Sequence, residues 1–253
     1  MKLHYREIGT GKPLIILHGL FGFSDNWQTL AIKFSDYFKV ILIDFRNHGH
    51  SPWSDEFSYA LMVDDLKNTI DELQLENIYL LGHSMGGKVA MHFCQKFPEK
   101  IKKLVVVDMG IKKYQHHHQE ILEAYKKVDL REITARSQVD LILAEFIDSV
   151  SIRQFLLKNL YWIEKGKLAW RVNFDVLEKS MQEILSELPK KVVPTTTLFI
   201  RGGNSNYIEN ADIEEIEAIF GIMSIETIHN AGHWVHAEAP EEFTNTVLKF
   251  YLS

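Results

Sequence analysis

The 253-residue chain holds a single cysteine, Cys94. One thiol excludes an intrachain disulfide framework and any thiolate metal cluster. No apolar run approaches the length of a membrane span, about 20 residues. The first residues, "MKLHYREIGTGKP", alternate charged and apolar positions and lack the apolar centre of a secretory signal. An excess of basic charge is missing too, with 28 basic against 34 acidic residues and a net charge of −6. The lysines come as scattered pairs such as Lys102-Lys103 and Lys190-Lys191, not as a stripe, so nucleic-acid binding has no electrostatic support. No internal repeat or low-complexity tract interrupts the text. These absences leave a cytoplasmic globular protein, monomer or homodimer, with no nucleic-acid partner and no membrane span. The length suits one large core with a modest insertion better than two independent domains.

The first half alternates two periods. Short apolar runs, largely β-branched, occur at Leu14–Leu17, Val40–Ile43, Ile78–Leu81 and Leu104–Val107. Runs apolar on both faces suit strands covered by helices on each side. Between them, Tyr59, Val63, Leu66, Ile70 and Leu73 repeat at helical spacing behind Ser58, a good N-cap. Val89, Phe93 and Phe97 continue the helical period until Pro98 stops it. Strands alternating with helices predict a parallel, doubly wound α/β sheet. From about Tyr114 to Leu188 the pattern is helical with hardly a strand, and rich in aromatics. Strands return with "TTTLFIRG" and "MSIETIHN", and a last helix opens at Pro240, followed by Glu241 and Glu242. The expected layout is a core of residues 1–110 and 190–253, with a helical cap, residues 111–189, inserted after the sixth strand.

Three loops carry chemistry. "LLGHSMGGKVAM" is a strand, then Gly82-His83-Ser84-Met85-Gly86, then a helix, the context that G-x-S-x-G requires. The turn is too sharp for side chains two residues either side of the serine. Ser84 therefore stands out from the sheet at a helix N-terminus that favours negative charge. "LIILHGLFG" runs a buried strand into a tight loop. A tetrahedral oxyanion needs two preorganised N–H donors. One is the amide of Met85; the other comes from this loop, from Leu20 or its neighbour Phe21. His18 is read as a structural ring that fixes the loop. "IHNAGHWVHAEAP" offers a general base, and His233 is chosen over His229 and His236 because Ala231-Gly232 lets the loop turn tightly around it.

Metal readings fail on residue type. "HAE" matches the start of a zinc-deaminase motif, but that chemistry also needs two cysteines in P-C-x-x-C. There is no H-E-x-x-H either. His116-His117-His118 reads as a solvated face of the cap. No metal and no cofactor are expected. Cys94, well inside the helix after the elbow, reads as core packing.

"HGLFG", "DFRNHGHSP", "GHSMGG" and "NAGHWVHAEAP", in this order and spacing, resemble the α/β-hydrolase superfamily. Arg46-Asn47-His48-Gly49-His50-Ser51, "LAWRVNFDVL" and "FIRGGNSNYI" resemble its YbfF-like esterase branch. The resemblance covers nearly the whole chain. It implies a mostly parallel eight-stranded sheet with helices on both faces, a helical cap over the site, and cofactor-free hydrolysis of a small-molecule ester or thioester.

His233 needs a carboxylate to fix its tautomer. Most relatives place that acid after the seventh strand, where this chain has Ser205, which carries no charge. Asp108 ends the "LVVV" strand at the carboxyl side of the sheet, where such folds display reacting groups, and the resemblance places the acid there. Asp175 ranks second and Asp212 third. Asp44 is read as bonding Arg46 or the loop that follows it. The resulting expectation is a serine hydrolase acting through Ser84, His233 and Asp108, with the Leu20 and Met85 amides as oxyanion donors. Phe21, Trp162 and Trp234 are expected to line an apolar acyl pocket of small to medium size. The rival readings are a carbon–carbon bond or small-peptide hydrolase on the same residues, and a ligand-binding protein that has lost turnover.

Overall fold

The computed structural model describes residues 1–115 and 118–253. In chain order the first half forms β1 (His4–Ile8), β2 (Lys12–Leu17), α1 (Gln28–Phe34), β3 (Phe38–Asp44), α2 (Tyr59–Glu72), β4 (Ile78–His83), α3 (Met85–Lys96) and β5 (Ile101–Val107). A long segment follows with α4 (Gln119–Lys127), α5 (Arg136–Ala144), α6 (Val150–Leu157), β6 (Leu160–Glu164), β7 (Lys167–Trp170), α7 (Phe174–Lys179) and α8 (Met181–Ile184). The chain then returns through β8 (Thr197–Gly202), α9 (Ile213–Ile219), β9 (Met223–Ile228), α10 (Val235–Glu238) and α11 (Pro240–Leu252).

Seven strands make the main sheet, in the order β1-β3-β2-β4-β5-β8-β9. Only β1 runs antiparallel to its neighbour. The resemblance implies eight strands. The text before β2 has room for one, because Gly9 and Gly11, both at positive φ, turn β1 away after Ile8. The inserted segment accordingly follows the fifth strand, not the sixth.

The two-sided apolar runs are explained by the packing. Leu14 and Ile16 face one core with Trp27, Phe34, Phe243 and Tyr251, supplied by α1, α11 and their neighbours. Ile15 and Leu17 face the other, with α2, α3 and the inserted segment. Each β2 side chain from Leu14 to Leu17 is essentially removed from water, a gain of roughly 1.5–3 kcal/mol per residue. The Ser58 hydroxyl accepts from the Leu61 amide at 3.2 Å, capping α2 as its sequence predicts.

The inserted segment is not wholly helical. Leu160–Glu164 and Lys167–Trp170 pair as an antiparallel hairpin whose turn holds Gly166 at φ +83°. The segment is tied to the core at both ends. Lys88 on α3 donates to the carbonyls of Lys112 and Ser186. Gln95 donates to Pro189 and Lys191, and the Tyr59 hydroxyl to Ile184.

Candidate functional site

Three strand ends on one edge of the sheet build the site. Ser84 follows β4 at φ +53°, ψ −122°, a backbone conformation that L residues rarely take. The glycines around it are enforced by contact. A Cβ on Gly82 would lie 2.3 Å from the Gly86 carbonyl oxygen, and one on Gly86 would lie 2.5 Å from the carbonyl oxygens of Leu17 and His18. Ser84 is held by its own amide, which donates to Val107 at 3.0 Å.

Asp108 leaves β5 at φ +45° and is fully buried. Its amide donates to Ile200 at 2.8 Å. Its Oδ1 accepts from the Gly202 amide at 3.0 Å. Its Oδ2 accepts from the Ser205 hydroxyl at 2.5 Å and from His233 Nδ1 at 2.8 Å. A buried carboxylate met by three donors is a compensated charge.

His233 closes the chain of contacts, with Nε2 3.0 Å from Ser84 Oγ. Because Asp108 can only accept, Nδ1 carries the proton and Nε2 is free to take one from Ser84. The Tyr207 ring stacks on the imidazole at 3.8 Å, and His83 Nε2 donates to the His233 carbonyl at 2.9 Å. Burial, then His236 and His233 nearby, hold the His83 imidazole well below its usual range. His236 is pushed down to about 3 by burial and stacks on Trp27. Both stay neutral supports, and His229 is exposed.

The loop after β2 supplies the opposite wall. Gly22 N–H donates to the Gly19 carbonyl at 3.0 Å, closing a turn with Phe21 at φ +60° in its third position. His18 is structural, as read from sequence: Nδ1 donates to the Gly19 carbonyl and Nε2 accepts from the Phe45 amide. The Phe21 amide is spent on His48 Nε2 at 3.2 Å. Among the described residues no protein acceptor takes the Leu20 amide. Leu20 and Met85 both line a small space beside Ser84, and Met85, as the first residue of α3, has an amide without a helical partner.

A cavity of about 50 Å³ lies over Ser84, walled by Phe21, Ile121, Ile152, Phe155 and Trp234. Past Phe155 and Trp234 it adjoins a groove of about 400 Å³ between α6 and α10. Phe21 and Trp234, expected from the sequence in an acyl pocket, line this cavity. Trp162 does not; it sits on β6, about half exposed, away from this cavity. Ile121, Ile152 and Phe155 line it beside Phe21 and Trp234, and nothing in the sequence beyond an apolar helical pattern distinguishes them.

The remaining candidates separate cleanly. Asp175 is exposed on α7, and Asp212 pairs with Lys112 at 2.7 Å. His118 faces the cavity rather than solvent, with its ring edge-on to Phe21; His116 and His117 lie outside the described residues. Arg46 pairs with Asp65 at 2.7 Å, while Asp44 accepts instead from the amides of Ser24 and His50. Cys94 is buried in the core, its thiol pushed up to about 12 by burial. Among the described residues His4, Asp44 and His50 bring donor atoms within 4.8 Å of one another. Those two amides already engage both Asp44 oxygens, so a cation there would have to share them.

A sequence model of the alpha/beta hydrolase fold matches residues 12–135. The sn-1-specific diacylglycerol lipase ABHD11 of Xenopus laevis is 37% identical over 95% of this chain and 80% of its own. The chain belongs to the α/β-hydrolase family. This α/β hydrolase is also 33% identical to the esterase YbfF of Escherichia coli strain K12, over 94% of this chain and 92% of that one. A solved marine microorganism esterase superposes with a TM-score of 0.96 at 42% identity, covering 98% and 99% of the two chains. With these relatives the chain is a hydrolytic enzyme, and no helix among the described residues is long and apolar enough to cross a membrane.

Proposed function

We propose that this α/β hydrolase cleaves carboxylic esters or thioesters of small to medium acyl groups through an acyl-enzyme on Ser84. The observation that carries the reading is the continuous hydrogen-bonded chain Ser84 Oγ–His233 Nε2 and His233 Nδ1–Asp108 Oδ2, at 3.0 and 2.8 Å, beneath a small apolar cavity. Ser84 attacks the carbonyl carbon while His233 takes its proton. The amides of Leu20 and Met85 receive the oxyanion, a term worth roughly 3–4 kcal/mol per donor. The alcohol or thiol leaves with the proton from His233, and a water repeats the cycle on the acyl-enzyme. Asp108 stays ionised, orienting the imidazole and balancing its transient charge.

The apolar walls suit an acyl chain, and the tight volume at Ser84 favours a short one near the carbonyl. Residues 111–189 act in this reading as a cap, since α4 and α6 supply one side of the cavity. The names of the relatives, esterase and lipase, support an ester in place of an amide or carbon–carbon bond. The test is acid quenching during turnover of a short p-nitrophenyl ester, followed by peptide mapping. The acyl mass should appear on the peptide holding Ser84 and on no other. Turnover with the acyl group on a different residue would refute the assignment.

A further inference from the structure

The turn that carries the Leu20 amide is not self-supporting. A turn with its third residue at positive φ normally holds glycine or asparagine there. This one holds Phe21, at φ +60°, a conformation costing roughly 1–3 kcal/mol for such a residue. The cheaper alternative is a turn with Phe21 at negative φ. Reaching it rotates the peptide between Leu20 and Phe21, swinging the Leu20 carbonyl and the Phe21 N–H, which breaks the Phe21 bond to His48 and disturbs the loop that holds the Leu20 N–H at the cavity. Something must hold the costly form.

Two side chains grip Phe21, one on each side of its Cα. His48 Nε2 accepts its N–H from the core side. The Phe21 carbonyl accepts from Asn159 Nδ2 at 2.8 Å. Asn159 belongs to the inserted segment, between α6 and β6. Its own backbone is fixed by a bond from its amide to Leu156 and by the Arg171 amide donating to its carbonyl. The side chain is completely buried, and among the described residues its Oδ1 has no partner. A buried asparagine with half its amide unsatisfied costs stability. What it retains is one donor aimed at one carbonyl, while the Phe21 ring stacks on Phe174 of the same segment at 5.2 Å.

We infer that Asn159 is a positioning residue for the oxyanion site, holding the Gly19–Gly22 turn in the form that leaves the Leu20 N–H to the cavity at Ser84. The inference rests on the acyl-transfer reading proposed above. It makes the covering segment part of the transition-state machinery, acting through a backbone carbonyl it never shares with substrate.

The test compares wild type with Asn159→Leu, which keeps the volume and removes the donor. On a short p-nitrophenyl ester, kcat should fall about 10- to 100-fold with KM nearly unchanged, less than the loss of a donor outright. Affinity for an alkylboronic acid, whose tetrahedral Ser84 adduct places an oxygen between the two amides, should fall by a similar factor. Tryptophan fluorescence reads that binding without any turnover. Phe21→Gly supplies the second arm, because glycine takes positive φ without strain. In that background the Asn159→Leu loss of kcat should shrink several-fold, a rescue that a merely structural role would not give.

Wild-type kcat and boronate affinity in Asn159→Leu would overturn the inference and leave the ester reading standing. So would a loss confined to KM, or one undiminished by Phe21→Gly. If Asn159→Leu does not fold, Asn159→Ser, which shortens the donor out of reach, carries the same comparison. A wild type that neither turns over esters nor binds boronate better than Ser84→Ala brings down both readings together.

Discussion

Ser84 and Asp108 share an unusual property, positive φ in residues that are not glycine. Each is held by an amide donating to a neighbouring strand, Ser84 to Val107 and Asp108 to Ile200. The strain is thus stored at the two strand ends that meet His233. Asp108 keeps three donors, of which Ser205 is one. Ser205→Ala removes that donor while Gly202 and His233 still fix the carboxylate. The expected result is a fall in kcat of about tenfold, worth one charge-assisted hydrogen bond, with KM steady. Steady-state kinetics check it. Asp175→Asn, at an exposed position on α7, should leave kcat within about twofold of wild type.

At this scale the residues that a motif fixes were legible. The spacing of Gly82, Ser84 and Gly86 reports a clash that only glycine avoids, and Asp108 ends an apolar run at the edge where reacting groups collect. In the sequence Ser205 registers only as a missing charge; its donor role needs the fold. Asn159 carries no signal, because a lone polar residue in an apolar segment does not announce which backbone it will meet; His48 stands in a motif, but the motif does not say that its ring takes the Phe21 amide.

Among the elements, α3 is tightly constrained. It approaches β2 so closely that Gly86→Ala would force the backbone of Leu17 and His18 apart. That change is expected to cost about 3 kcal/mol or more, or to prevent folding, measured as the shift in a urea midpoint. Two residues on, Lys88 is buried beside both linkers of the inserted segment, and desolvation lowers its ammonium to about 8, against the opposing pull of Glu187 and Glu183. The folded state therefore releases this proton before the unfolded state, whose lysine titrates near its usual 10.5. Below about pH 8 the burial penalty is fully present, and stability contributed at this site rises between about pH 8 and 10.5. Wild type should gain stability on the order of 3 kcal/mol relative to Lys88→Met across that window. Parallel pH dependence in the two proteins would contradict the assignment.

The hairpin β6–β7 is the element the sequence concealed. "RQFLLKNLYWI" keeps helical spacing through Phe155, Leu156 and Leu160, yet α6 ends at Leu157. Pairing with Lys167–Trp170 across Gly166 outweighs the local pattern, and that same switch from helix to strand carries Trp162 away from the cavity. A period can be read from one segment alone, but a pairing partner cannot.

Across the whole molecule, four buried histidines support the site while neutral: His18, His48, His83 and His236. Burial is the main cause of each lowered value, with His48 and His236 brought to about 3. Their unfolded values lie near 6.5, so below that pH the unfolded state binds more protons. The stabilisation is intact above about pH 6.5 and is lost as pH falls below it, down to about 3 for His48 and His236, at up to about 1.4 kcal/mol per pH unit for each ring. The melting temperature should hold from pH 8 to about 6.5 and then drop steeply by pH 5. A flat profile to pH 4 would contradict the neutral assignments. The sheet itself was readable because strands buried on both faces leave unbroken apolar runs; the strand count was not, since the resemblance implied eight where the described residues form seven.

The most direct measurement is kcat/KM on a short p-nitrophenyl ester for wild type, Ser84→Ala and Asp108→Asn side by side, each verified as folded by circular dichroism. The account predicts turnover by wild type, none above background for Ser84→Ala, and a loss of about three to four orders of magnitude for Asp108→Asn. A folded Asp108→Asn that retains most of the wild-type rate would contradict the central claim that the carboxylate ending β5 orients His233.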